Sequence, residues 1–172
     1  MKDALDAGAE LFDSVHVLEP IVEKGYVKGV EARSLKDGSK TKLLGDVTVD
    51  ASGMSAIIRS KLPSEMGLEQ NVRNVDTVVC YREIRELKDE IKEPEFCEIF
   101  LNLEEAPGGY CWIFPEGKKR VNVGLGVAAV KGHLNPKDKL YGHVLAMPMF
   151  KGSTVLHGGG GVVPTRRPLN SL

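Results

Sequence analysis

The chain has 172 residues, 42% hydrophobic and 27% charged, with a formal net charge of −1. That balance belongs to a soluble globular chain holding one domain or parts of two, and it excludes a disordered one. Near-neutral charge, with Lys and Arg spread evenly, excludes a duplex-binding surface, so no nucleic-acid partner is expected.

Residues 1–7 read as the end of a helix, with Leu5 one turn after Met1 and Gly8 as the residue that closes it. Such a stub does not nucleate alone, which points to a chain that is an internal piece of a larger protein. Strand-like alternation follows over 15–18, and Pro20 confines that strand to an edge or a bend. Residues 21–32 read as a hairpin turning at Lys24-Gly25. Asp37-Gly38 is a second hairpin signal, because it accepts positive φ, and a strand over 40–44 follows it. Residues 46–50 are expected as a short, fairly buried strand, and 56–62 as a helix capped by Ser55.

Beyond Pro63 the pattern changes to longer strands, over 75–87, 96–101, 110–114 and 121–127, read as antiparallel neighbours in one sheet. In the first of these, Val79, Tyr81 and Glu83 fall on one face and Cys80, Arg82 and Ile84 on the other. Pro136 opens a helix to about 146, with Pro148 interrupting it. Residues 153–163 then pass through four glycines, Gly158 to Gly161, and the chain ends at 168–172 without a closing element. The fold class is α+β, with a mainly antiparallel sheet and flanking helices.

Candidate chemistry is sparse. Cys80, Cys97 and Cys111 are too few and too scattered for a disulfide framework, which suits a reducing, cytoplasmic setting. No apolar run is long enough to span a bilayer, which leaves peripheral membrane contact open. None of His16, His133, His143 and His157 has helical pair spacing, so no metal site is expected. Gly124-Leu125-Gly126-Val127-Ala128-Ala129 matches a dinucleotide pattern, but Gly132, Asn135 and Pro136 deny it a following helix. It reads instead as a strand relieved by glycine where neighbours crowd it. The tetraglycine lacks the Lys-Ser/Thr of a phosphate loop, and reads equally as a flexible crossing or a ligand-facing segment. No acid, base or nucleophile set emerges, so no catalytic residue is assigned and any chemistry falls to a cofactor. Tyr110, Trp112 and Phe114 share one face of their strand, either packed under a helix or lining an apolar ligand slot.

Two segments carry a resemblance. Pro107-Gly108-Gly109-Tyr110-Cys111-Trp112-Ile113-Phe114-Pro115, followed by Asn122-Val123-Gly124-Leu125-Gly126, resembles the hallmark of the geranylgeranyl reductase family. Asp50-Ala51-Ser52-Gly53-Met54-Ser55-Ala56-Ile57-Ile58-Arg59 looks like the second flavin-site motif of the wider p-hydroxybenzoate-hydroxylase-like superfamily. Residues 160–169 are similar to the stretch before that superfamily's last flavin motif. The resemblance implies a fragment of an FAD-dependent oxidoreductase that reduces C=C bonds of isoprenoid chains, as in archaeal lipids or the chlorophyll side chain, and is inactive alone. It implies a partial FAD domain over 1–62 without the G-x-G-x-x-G unit, a substrate sheet over 63–160 and a return segment over 161–172. By the same resemblance Val17, Asp50, Ala51, Ser52 and Gly53 contact FAD, and Tyr110, Trp112, Phe114 and Pro115 line a tunnel for an isoprenoid lipid. A ferredoxin or NAD(P)H would supply the electrons. Other branches of the superfamily (halogenase, monooxygenase, electron-transfer-flavoprotein–quinone oxidoreductase) are disfavoured by the aromatic motif. The contrasting expectation is a catalytically silent module that binds lipid or protein.

Overall fold

The computed structural model describes residues 1–129 and 135–165. Gly132, His133 and the end of the motif-like stretch over 160–169 lie outside the described residues, as does the tail over 168–172. The described chain divides into two compact units, the first ending at Asn71 and the second beginning at Val72. The class is α+β: two antiparallel sheets with few helices. No helix among the described residues is long and apolar enough to cross a membrane.

The first unit opens with a short helix α1 (Lys2–Asp6), after which Gly8 takes φ +92°. Strands β1 (Val15–Glu23), β2 (Tyr26–Ser34) and β3 (Lys40–Leu44) form a three-stranded sheet in that order. The β1–β2 turn places Lys24 at φ +50° and Gly25 at φ +80°, the paired positive φ of a tight hairpin that matches strand twist. Pro20 sits on the edge strand, next to register shifts at Val17/Glu19 and Ile21/Val22, where its missing N–H costs least.

Two expectations fail in this unit. Residues 46–50 form no strand: no described strand pairs with them, and Val47 and Val49 are 81% and 82% exposed. Residues 56–62 form no α-helix. Ala56 turns left-handed at φ +41°, which breaks a right-handed helix at its first residue, and two single turns, Gly53–Ser55 and Arg59–Lys61, take its place.

The second unit holds strands β4 (Thr77–Glu86), β5 (Glu98–Phe100), β6 (Cys111–Pro115), β7 (Arg120–Ala128) and β8 (Thr154–Pro164). Their order in the sheet is β5-β6-β7-β4-β8, so β4 is an interior strand, between β7 and the edge strand β8. The tetraglycine is therefore strand, paired along β4 from Glu83↔Gly158 to Cys80↔Gly161. One face of the sheet carries the core: Cys111, Ile113, Val121, Val123, Leu125 and Val127 pack with Leu140, Val144 and Phe150. Leu140 and Val144 come from the π-helical turn Leu140–Val144, which continues helix α2 (Pro136–Lys139), and Phe150 comes from the turn Pro148–Phe150. Asn135 caps α2 by accepting a hydrogen bond from Lys137 N at 2.9 Å.

Glu83, 1% exposed, is a charge among these apolar groups. It survives burial because it is saturated: the hydroxyls of Tyr81 (3.1 Å) and Tyr141 (2.8 Å) donate to it and Arg85 pairs with it. Arg85 in turn donates to Ser153 Oγ at 2.9 Å, so the network ties β4 to the π-helical turn and to the residue before β8.

Candidate functional site

With one face of the five-stranded sheet buried, period two dictates what the other presents. On β4 it presents Val78, Cys80 and Arg82, on β6 Trp112, on β7 Gly124 and Gly126, and on β8 His157, Gly159 and Gly161. In register, Trp112 pairs with Gly124, which pairs with Arg82, which pairs with Gly159. Glycines thus alternate with large side chains across the sheet and sink a trough into it, of about 710 Å³. Its wall is mostly apolar, with Tyr110, Trp112, Val78, Val163 and Pro164 around the glycine floor.

The glycines are required there. A Cβ on Gly124 would lie 2.2 Å from Trp112 Cζ2, and one on Gly126 2.7 Å from Val78 Cγ1 and 2.9 Å from Cys80 Sγ. Gly109 is tighter still: its Cβ would meet the Gly126 carbonyl oxygen at 2.1 Å. Any side chain at these positions would push a ring or a strand aside. The expectation of a glycine-relieved strand at Gly124 and Gly126, in place of a dinucleotide loop, holds.

The aromatic triad forms a ladder along β6. Tyr110 and Trp112 have ring centroids 5.7 Å apart at 57°, and Trp112 and Phe114 6.2 Å apart at 33°. Trp112 Nε1–H donates to Asn122 Oδ1 at 3.1 Å, which fixes the indole over the glycine strand. The rings lie on the face opposite the helix. Tyr110 and Trp112 line the trough; Phe114 backs Trp112 and is not among the lining residues. Pro115 pairs with Val121, a core-side residue, so it shares the register of the buried face.

The first unit has a hollow of about 710 Å³. Val17, Asp50, Ala51 and Ser52 all line it, with Val30, Leu43, Val47 and Val49. Gly53 follows at φ +64°, and a Cβ there would meet nothing within 4 Å, so its backbone faces open space. Asp50 is occupied by its own chain. Oδ1 accepts from Ser52 N (3.1 Å) and Ser52 Oγ (2.6 Å), and Oδ2 from Ile58 N and Arg59 N, both at 3.0 Å. Ser52 Oγ accepts from Ile57 N at 2.8 Å. Where a helix capped by Ser55 is expected, Asp50 and Ser52 instead take up the N–H groups of Ile57, Ile58 and Arg59. Burial pushes the Asp50 carboxyl upward, but the hydrogen bonds from Ser52, Arg59 and Ile58 outweigh it and hold the carboxyl below its ordinary value.

Sequence reasoning missed the contribution of β4 and β8 to the trough. The alternation that puts Cys80, Arg82 and Ile84 on one face was visible, but nothing local says that β8 pairs with β4. The thiols are free: Cys97 is exposed, Cys80 half-buried in the trough wall, and Cys111 buried. Burial, helped by the Glu105 charge, pushes the Cys111 thiol up to about 11.

Comparison with known proteins matches residues 76–163 to the family model described as the geranylgeranyl reductase catalytic domain. A digeranylgeranylglycerophospholipid reductase from Sulfolobus acidocaldarius is 38% identical over all of this chain, and one from Methanothrix thermoacetophila is 32% identical over 97% of it. The chain spans 38% and 40% of those two relatives' length. Among solved structures, a geranylgeranyl bacteriochlorophyll reductase-like protein from Thermoplasma acidophilum superposes with a TM-score of 0.78 at 21% identity, covering 96% of this chain and 40% of that one. A flavin-dependent brominase superposes with a TM-score of 0.67 at 15% identity, covering 94% of this chain and 41% of that one. These two likenesses show the fold.

Proposed function

The chain belongs to the geranylgeranyl reductase family, and from that premise we propose that it supplies the substrate-facing sheet of an FAD-dependent enzyme that reduces C=C bonds in the isoprenoid chains of glycerophospholipids. The observation that carries this reading is the trough: an open apolar channel floored by glycine and walled by Tyr110 and Trp112. An isoprenoid tail offers no polar handle, so orientation has to come from shape and from the removal of apolar surface from water. Trp112, fixed by Asn122, and the crowded Gly124 and Gly126 hold that shape in advance of binding. Phe114 braces the indole from the side away from Tyr110. Flavin-dependent halogenation is a weaker reading, because the fold it shares with this chain does not account for the aromatic ladder over glycine.

The hollow of the first unit fits part of a flavin nucleotide. Exposed Val47 and Val49 offer apolar surface, and Gly53 leaves backbone uncovered by any side chain. Val17, Ala51 and Gly53 would hold the cofactor, while Asp50 and Ser52 shape the turn that presents them. When bound and reduced, FAD supplies the hydride for an isolated C=C bond.

The test is a chain-length series. Trp112 is the only tryptophan, so its fluorescence reports on the trough. Isoprenoid alcohols of increasing length should quench it with affinity rising at least about tenfold per added isoprene unit until the channel is full. Affinity independent of length would sink the reading.

A further inference from the structure

The trough has a direction. At one end Val78, Val163 and Pro164 surround the floor; at the other stand Arg82 on β4 and His157 on β8. Arg82 faces glycine on both sides, Gly124 and Gly159, so neither of its partners in the sheet has a side chain to cover it. His157 leans toward the same row: a Cβ on Gly159 would lie 3.9 Å from His157 Cε1. The lining contains no Asp or Glu. Among the described residues the Arg82 side chain has neither an ion pair nor a hydrogen bond, although it is only partly exposed. The contrast with Arg85 is direct, since that residue on the other face is spent on Glu83 and Ser153.

A guanidinium half-removed from water without a counter-ion is costly, and an anion entering the trough would offset that cost. Its planar donors suit the oxygens of a phosphate, and an imidazole N–H beside them adds a further donor. We propose that Arg82, with His157 assisting, binds the phosphate of an amphiphilic substrate and thereby sets which way its isoprenoid chain runs along the trough. The inference rests on the trough being the lipid channel. It makes Arg82 a positioning and specificity residue, since it touches the head of the substrate and not its double bonds.

The experiment compares geranylgeranyl phosphate with geranylgeraniol, which share a tail and differ in the head, by Trp112 quenching in the 172-residue chain. The parent protein should bind the phosphate at least about tenfold more tightly than the alcohol. Arg82→Gln should remove that advantage by weakening the phosphate far more than the alcohol; Arg82→Lys should restore part of it, and His157→Gln should lose a smaller part. Inorganic phosphate at millimolar concentration should not reproduce the effect, because it lacks the tail that places it.

Equal binding of the two lipids by the parent protein overturns the inference while leaving the lipid channel standing. So does an Arg82→Gln variant that loses both lipids equally, or that keeps the phosphate preference. If inorganic phosphate competes as well as the lipid phosphate, the site reads a free anion and the inference falls. Absence of quenching by either lipid removes the channel and the inference together.

Discussion

Gly124→Ala is the sharpest perturbation the trough allows. The new methyl would lie 2.2 Å from Trp112 Cζ2 and 2.6 Å from Cε2, where an ordinary contact begins at about 3.4 Å, so the indole has to move by about 1.2 Å. That movement stretches the 3.1 Å hydrogen bond from Trp112 Nε1–H to Asn122 beyond its useful range. Overpacking of this kind costs about 1–3 kcal/mol, and the weakened hydrogen bond adds about 1 kcal/mol. With a urea m-value of about 2 kcal/mol/M, the unfolding midpoint should fall by roughly 1 M or more. Tryptophan emission should shift to the red as the ring lifts toward water. Gly161→Ala is the control: a Cβ there meets nothing within 4 Å, and the position is on the same floor. It should leave stability nearly unchanged while narrowing the channel and weakening long-chain ligands. If Gly124→Ala leaves both the midpoint and the emission unchanged, the indole does not rest on the glycine strand and the reasoning fails.

Further outcomes follow from the rest of the structure. Glu83→Ala should destabilise the second unit by about 3–5 kcal/mol in denaturant unfolding, because it strands Arg85 and both tyrosine hydroxyls beside the core. A cost below about 1 kcal/mol would show that the network is dispensable. Asp50 has a carboxyl held low in the folded chain, so it adds stability above its unfolded value near pH 4, and that contribution fades as pH falls through the lower folded value. Asp50→Asn should therefore flatten the acid limb of stability against pH for the first unit, and an unchanged limb would contradict the capping role. Trp112→Ala should weaken long isoprenoid ligands far more than short ones, and equal losses would count against a tunnel wall.

Much of the fold was legible because local chemistry decides it. Asp37-Gly38 and Lys24-Gly25 accept the positive φ of their turns, and the alternation of β6 and β7 separates a ring-bearing face from a core face. What was not legible depends on partners distant in sequence. Residues 46–50 have the composition of a strand but no described neighbour to complete a ladder. Four consecutive glycines carry no strand propensity of their own; they become strand because β4 offers an open edge. Period two alone put Tyr110 and Trp112 on one face, and left open whether that face packs under a helix or lines a slot. Arg82 and His157 were not legible as trough residues, because only the β4–β8 register brings them to the same end of the floor.

The most direct test of the lipid channel uses the thiols already present. Cys80 lines the trough and Cys97 is exposed outside it. Geranylgeraniol should slow alkylation of Cys80, followed by mass spectrometry of the peptides, and leave the Cys97 rate unchanged. Identical Cys80 rates with and without the lipid, at concentrations that saturate Trp112 quenching, would contradict it.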